Sequence, residues 1–156
     1  VLARGMNTML GYYKNEEATR AVLDADGWYH TGDLGTMSAD GHVFIRGRIK
    51  NMLLGSNGQN VYPEEIEDKL NSMAYVNESL IVQKGDKLIG LVHPDYDEAK
   101  AMDFNDDDLM SIMEQNRLKL NEQLPPFCKI SELRLHEDEF VKTPKKSIKR
   151  YLYKDV

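Results

Sequence analysis

The spacing of apolar positions changes character about a third of the way along the chain. In the first fifty residues the apolar side chains come in short runs broken by turn residues. "NEEATRAVL" predicts one short helix, with Asn15 as its cap and Glu16 and Glu17 in the first turn. "DADGWYHTGDLG" offers a turn at Asp26-Gly27, a short strand and a tight Thr-Gly-Asp corner. "TMSADGHVFIRGR" reads as a hairpin, because Asp40-Gly41 separates two runs that contain apolar residues. So few short strands cannot close a core alone, and this piece is expected to pack on something else.

From Lys50 the pattern becomes that of a compact α+β unit. "IKNMLL" predicts a strand, followed by the loop "GSNGQN". "PEEIEDKLNSM" predicts a helix with Pro63 in its first turn and Ile66, Leu70 and Met73 on one face. "ESLIVQKGDKLIGLVHP" gives two strands about Gly85-Asp86. "FNDDDLMSIMEQNRLKLNEQL" gives an amphipathic helix capped by Asn105, with Leu109, Ile112, Met113, Leu120 and Leu124 sharing a side. Pro125-Pro126 ends it, "ISELRLHE" alternates as a strand, and "PKKSIKRYLY" reads as a last short helix. The fold class expected is therefore α+β: a small sheet flanked by helices, preceded by a β-rich segment. The boundary falls between residues 1–49 and 50–156.

Composition narrows the function classes. A 41% hydrophobic and 29% charged chain fits a globular protein with a core, and no apolar run is long enough to span a membrane. The chain opens without Met and without a signal peptide, so a fragment of a longer protein is expected. One cysteine, Cys128, excludes a disulfide framework and points to a reducing, cytoplasmic setting. The charge is segregated. Residues 51–140 hold eight basic and nineteen acidic side chains, net −11, whereas residues 141–156 hold six basic and one acidic, net +5. An acidic body argues against nucleic acid as a partner, so the basic tail reads as a local site. His30, His42, His93 and His136 show no ligand spacing, and no metal site is expected in this chain. Asp106-Asp107-Asp108 reads as charge at a helix N-terminus.

Three stretches carry chemistry together. "GWYHTGDLG" (27–35), "GRIKNMLLGSNGQNVYPEEIE" (47–67) and "KTPKKSIKR" (142–150) resemble, in order and spacing, the last core motifs of the adenylate-forming enzymes. "GMNTMLGYYKNEEAT" (5–19) resembles the segment just upstream of them. That superfamily comprises acyl-CoA synthetases, peptide-synthetase adenylation domains and luciferases. The second and third stretches look most like bacterial long-chain fatty acid–CoA ligases.

The resemblance implies roles residue by residue. Asp33 would accept hydrogen bonds from the ribose hydroxyls of ATP or AMP, and Arg48 would donate to ribose or phosphate oxygens. A turn-capping aspartate and a surface ion pair are the plain alternatives for these two. Lys50 falls at the hinge between the large N-terminal domain and a small mobile C-terminal one. Gly58 occupies the position that lines the CoA pantetheine channel, or it supplies a positive φ in its turn. The family tail resembles Lys-Thr-x-x-Gly-Lys-Ile-x-Arg, whose second lysine acts in adenylation. Gap-free alignment puts Lys146 on the glycine position and Ser147 on the lysine position. Lys146, or Lys145, is then the candidate to supply the catalytic ammonium.

The implied whole enzyme joins a carboxylic acid, long-chain fatty by resemblance, to CoA through an acyl-AMP. It uses ATP and CoA, with Mg held by a missing N-terminal domain that is also its partner. Peripheral membrane association of that enzyme stays open, and the fragment alone is expected to be inactive. The alternatives are an enzyme that loads a carrier protein, or a noncatalytic binding module with a degenerate lysine motif.

Overall fold

The computed structural model describes residues 1–55 and 57–154. The chain divides into two compact units, Val1–Asn51 and Met52–Val156.

The first unit contains β1 (Leu2–Ala3), α1 (Glu16–Arg20), β2 (Tyr29–His30), β3 (Asp33–Met37) and β4 (Val43–Arg48). Strands β1 and β2 pair antiparallel, as do β3 and β4. Asn15 caps α1 by accepting from the Ala18 amide at 3.0 Å. A 3-10 turn, Ile49–Asn51, ends the unit where a strand was expected to begin. None of its residues is buried. Met37, Val43, Phe44 and Ile45 are each more than half exposed.

The second unit begins with a small hairpin, β5 (Leu53–Leu54) and β6 (Asn60–Val61), followed by α2 (Pro63–Leu70). Then come β7 (Val76–Lys84), β8 (Lys87–Pro94), α3 (Tyr96–Ala101), α4 (Asp106–Glu122) and β9 (Ile130–Leu135). The sheet order is β7-β8-β9, antiparallel then parallel. A parallel neighbour needs a crossover, and α3 and α4 supply it. Asp95 caps α3 through the Glu98 amide at 2.9 Å. Asn105 and Asp108 form a capping box on α4.

Both faces of this sheet are covered, which is why residues 80–82 of β7 and residues 88–92 of β8 carry no polar side chain. On one face Ile81, Leu88 and Val92 join Ile66 and Leu70 of α2, Met113 and Leu120 of α4, and Ile130 and Leu133 of β9. Gly90 lies in this layer, where a Cβ would come within 2.4 Å of Leu133 Cδ2. On the other face Leu80, Val82, Ile89 and Leu91 are packed by Phe140, Tyr153 and Ile148 of the C-terminal segment.

That segment corrects one expectation. "PKKSIKRYLY" is not one helix. Lys142 and Ile148 bridge antiparallel around a tight loop, and only Arg150–Tyr153 forms a 3-10 turn. Pro144 follows Thr143 at the corner of a turn, where its fixed φ favours reversal over a helix interior. Phe140, Ile148 and Tyr153 then reach one sheet face from both sides of the loop.

Candidate functional site

The Thr-Gly-Asp corner is made by Gly32, whose φ of 75° lies in the left-handed region. It brings Asp33 directly opposite Arg48 at the end rung of the β3–β4 ladder. Arg48 Nη1 lies 2.9 Å from Asp33 Oδ1 and donates to the Thr31 carbonyl at 2.6 Å. The Thr31 hydroxyl accepts from the Asp33 amide at 3.0 Å. The Ile49 amide closes the corner by donating to Gly32 O at 2.9 Å. One carboxylate and one guanidinium are thus held side by side, with 29% and 58% of their side chains exposed. Such a pair can present an acceptor for hydroxyls next to a donor for phosphate or hydroxyl oxygens. Lys50 stands exposed in the 3-10 turn, one residue before the two units divide.

In the second unit, two loops carry the remaining candidates, and they share one geometry. Gly58 donates to Gly55 O at 2.8 Å, while the Gly55 amide donates to Gln59 O at 2.8 Å; Gly58 has φ 77°. Lys146 donates to Thr143 O at 2.9 Å, while the Thr143 amide donates to Ser147 O at 2.9 Å; Lys146 has φ 61°. This is a turn closed by a left-handed residue, a position that glycine fills without strain. Lys146 therefore stands where the backbone asks for glycine, and Ser147 follows it on the returning strand. Lys145, Lys146 and Ser147 are all exposed. Gly58 has open space around the place a Cβ would occupy.

Residues 50–155 match the AMP-binding enzyme C-terminal domain. The chain belongs to that family. A (methyl-dioxo-octahydroindenyl)propanoyl:CoA ligase of Rhodococcus jostii is 40% identical over 116 residues, which is 74% of this chain and 22% of that protein. A long-chain-fatty-acid–CoA ligase of Gallus gallus is 39% identical over 84 residues, 53% of this chain and 11% of the relative. The adenylation domain of a carboxylate reductase from Mycobacterium chelonae superposes with a TM-score of 0.81 at 21% identity, over 94% of this chain and 24% of that one. That likeness shows the fold, the small α+β domain of adenylate-forming enzymes. This chain spans less than a quarter of each of these proteins.

Reasoning from the sequence missed two carboxylates beneath the tail loop. Glu67, on α2, is 7% exposed. Its Oε1 accepts from Arg150 Nη1 at 2.8 Å and from the Ile81 amide at 2.6 Å, and its Oε2 contacts Arg150 Nη2. Burial raises the Glu67 carboxyl above its ordinary range, while the Arg150 guanidinium and the Ile81 amide pull it back. Glu78, on β7, holds Lys142 Nζ, with Glu139 Oε2 3.8 Å from the same ammonium. Contact with Glu78 raises the Lys142 ammonium above the usual lysine value. One signal was available for Glu67. It sits between Ile66 and Leu70 on the apolar side of the helix, where a lone acid needs a cation. Arg150 lies 83 positions away, and nothing in the spacing paired the two.

Among the described residues no group of three or more His, Cys, Asp or Glu side chains could hold a metal ion, and no helix is long and apolar enough to cross a membrane.

Proposed function

We propose that this chain is the C-terminal part of an AMP-forming acid–CoA ligase, with residues 1–49 closing a large nucleotide-binding domain and residues 50–156 forming its small mobile domain. In the first half-reaction a carboxylate oxygen attacks the α-phosphorus of ATP, and pyrophosphate leaves. In the second, the CoA sulfur attacks the acyl carbon, and AMP leaves. Asp33 accepts from the ribose hydroxyls, and Arg48 donates to ribose or phosphate oxygens, through both steps. Lys50 is the hinge, and Gly58 borders the channel for the pantetheine arm. Lys146 supplies the ammonium during adenylation from a position one residue before the usual one. A long-chain fatty acid is the proposed substrate class, supported by the tail resemblance and by the Gallus gallus relative. Magnesium would accompany ATP. Among the described residues no cluster of His, Cys, Asp or Glu fits a magnesium site.

The observation that carries this reading is the Asp33–Arg48 corner, 2.9 Å across one ladder rung and directly upstream of the family domain. Its test is ATP–pyrophosphate exchange in the full-length protein. Asp33→Ala and Arg48→Ala are each expected to lower exchange and the thioester step about a hundredfold, the scale of one lost electrostatic contact. Normal ATP kinetics in either variant removes that residue from the site.

One observation favours a second reading, a binding module with a degenerate motif: Lys146 occupies the left-handed corner itself, and Ser147 the position after it. Pyrophosphate exchange in Lys146→Ala and Ser147→Lys separates the two. A silent Lys146→Ala together with a faster Ser147→Lys supports the degenerate motif.

A further inference from the structure

The exposed loop Thr143–Ser147 rises from feet that are fastened at several points. On one side Lys142 is held by Glu78 of β7. On the other, Arg150 grips Glu67 of α2 with both terminal nitrogens. Between the feet, the Lys149 amide donates to Val141 O at 2.8 Å, and the Val141 amide donates to the Tyr153 hydroxyl at 2.9 Å. Phe140, Ile148 and Tyr153 seat the whole on the second face of the sheet.

Stability alone is a poor account of the Glu67–Arg150 pair. A buried ion pair gives back much of its attraction as desolvation, and an apolar pair of equal volume often holds a fold as well. Burial indeed disfavours the Glu67 charge. A two-pronged carboxylate–guanidinium contact adds direction, because the planar groups meet in one orientation. Glu67 is fixed in turn by the Ile81 amide, midway along the edge strand β7. The direction of Arg150, and with it the path of the returning strand, is thereby referred to the hydrogen-bonded sheet.

We propose that Glu67 and Glu78 are positioning residues, which clamp the two feet of the Thr143–Ser147 loop through Arg150 and Lys142 and so aim its tip. They touch no reacting atom. In this chain the aim has added weight, because the tip carries Lys146 and Ser147 in place of the family's Gly-Lys. The catalytic half of the proposal rests on the ligase reading above; the mechanical half does not.

Two measurements test it. In the 156-residue chain, amide hydrogen exchange of Lys146, Ser147 and Lys149 reports the loop. In Glu78→Gln/Arg150→Lys, exchange at these three amides is expected to rise at least about tenfold, with β7 and β8 still protected. In the full-length protein, the same variant is expected to lose about tenfold or more in the turnover of acyl-AMP formation, since misaim of about 1 Å can cost a hundredfold. KM for ATP and thioester formation from supplied acyl-AMP should stay unchanged. The swap Glu78→Lys/Lys142→Glu keeps one foot paired and should exchange like wild type. Unchanged loop exchange in the double variant overturns the clamp. Equal losses in both half-reactions overturn the aiming role. A wild type that exchanges no pyrophosphate with any acid defeats the ligase reading, and the loop amides still decide the clamp.

Discussion

The two units of this chain use similar materials to opposite ends. Both contain short antiparallel hairpins, and both carry Val, Ile and Leu in their strands. In Met52–Val156 those side chains fill two layers about a three-stranded sheet, and Leu70, Leu80 and Leu120 are fully buried. In Val1–Asn51, β3 and β4 present Met37, Val43, Phe44 and Ile45 to the surroundings, and no residue is buried. A two-stranded ribbon has nothing to lay its apolar face against unless a helix or second sheet covers it. Strand patterning therefore says which residues want burial, and only a third layer delivers it. The same contrast governs charge. Asp24 and Asp40, exposed in the first unit, are lowered by the Trp28 amide and the Ser38 hydroxyl, respectively. Glu67, buried in the second, is raised.

The sharpest way to break this comparison is truncation in each unit. Leu70→Ala should cost about 3–4 kcal/mol, as a fully buried leucine removed from a packed layer. Ile45→Ala, on a side chain that is 58% exposed, should change stability by less than about 0.5 kcal/mol. Denaturant titration followed by one probe in each unit measures both. A large effect of Ile45→Ala would mean that its face is covered in solution.

Overpacking gives the next largest effect. Gly90→Ala drives a methyl against Leu133 and toward Ile81, and about 2 kcal/mol of destabilisation is expected from the shifts this forces. Gly41→Ala, with open space around the new Cβ, meets only the cost of its left-handed φ, about 1 kcal/mol.

Titration sharpens the charge contrast. Glu67 has a raised carboxyl, so its contribution to stability is complete below the ordinary value of 4.5 and is lost as pH climbs through the folded value. Asp24, Asp40 and Glu114 have lowered carboxyls and contribute in the other direction, losing their effect as pH falls. Stability measured from pH 4 to 7 should therefore decline less with rising pH in Glu67→Gln than in wild type, whatever the variant's absolute stability. Parallel curves would show that Arg150 holds Glu67 ionised throughout.

The smallest effect concerns the paired loops. Gly58 and Lys146 hold the same left-handed corner, so Gly58→Ala should lose about 1 kcal/mol and Lys146→Gly should gain about 0.5–1 kcal/mol. If Lys146→Gly also abolishes pyrophosphate exchange in the full-length protein, the lysine serves chemistry at the expense of its backbone.

Most of the second unit was legible in its sequence. The period of Ile66 and Leu70, the Asn105 cap before Leu109, and the Gly85-Asp86 turn between two apolar runs each specify an element by local chemistry. The α3 helix escaped because six residues give too short a period to read, and only its Asp95 cap marked it. The tail was misread for a related reason. Lys, Ser, Ile, Arg and Tyr are all compatible with a helix, and the demand that Phe140, Ile148 and Tyr153 meet one sheet face is invisible along the chain.

For the candidate site, the sequence alone determined which residue types stand at the motif positions: the aspartate and arginine of the corner, the glycine at 58, and a serine where the resembled motif has its second lysine. Tertiary structure alone decided that Asp33 and Arg48 face each other across one rung, that Lys146 occupies a glycine-like corner, and that Glu67 and Glu78 secure the loop that carries it. Those facts depend on register and on pairs up to 83 residues apart, and no local period encodes a partner at that distance.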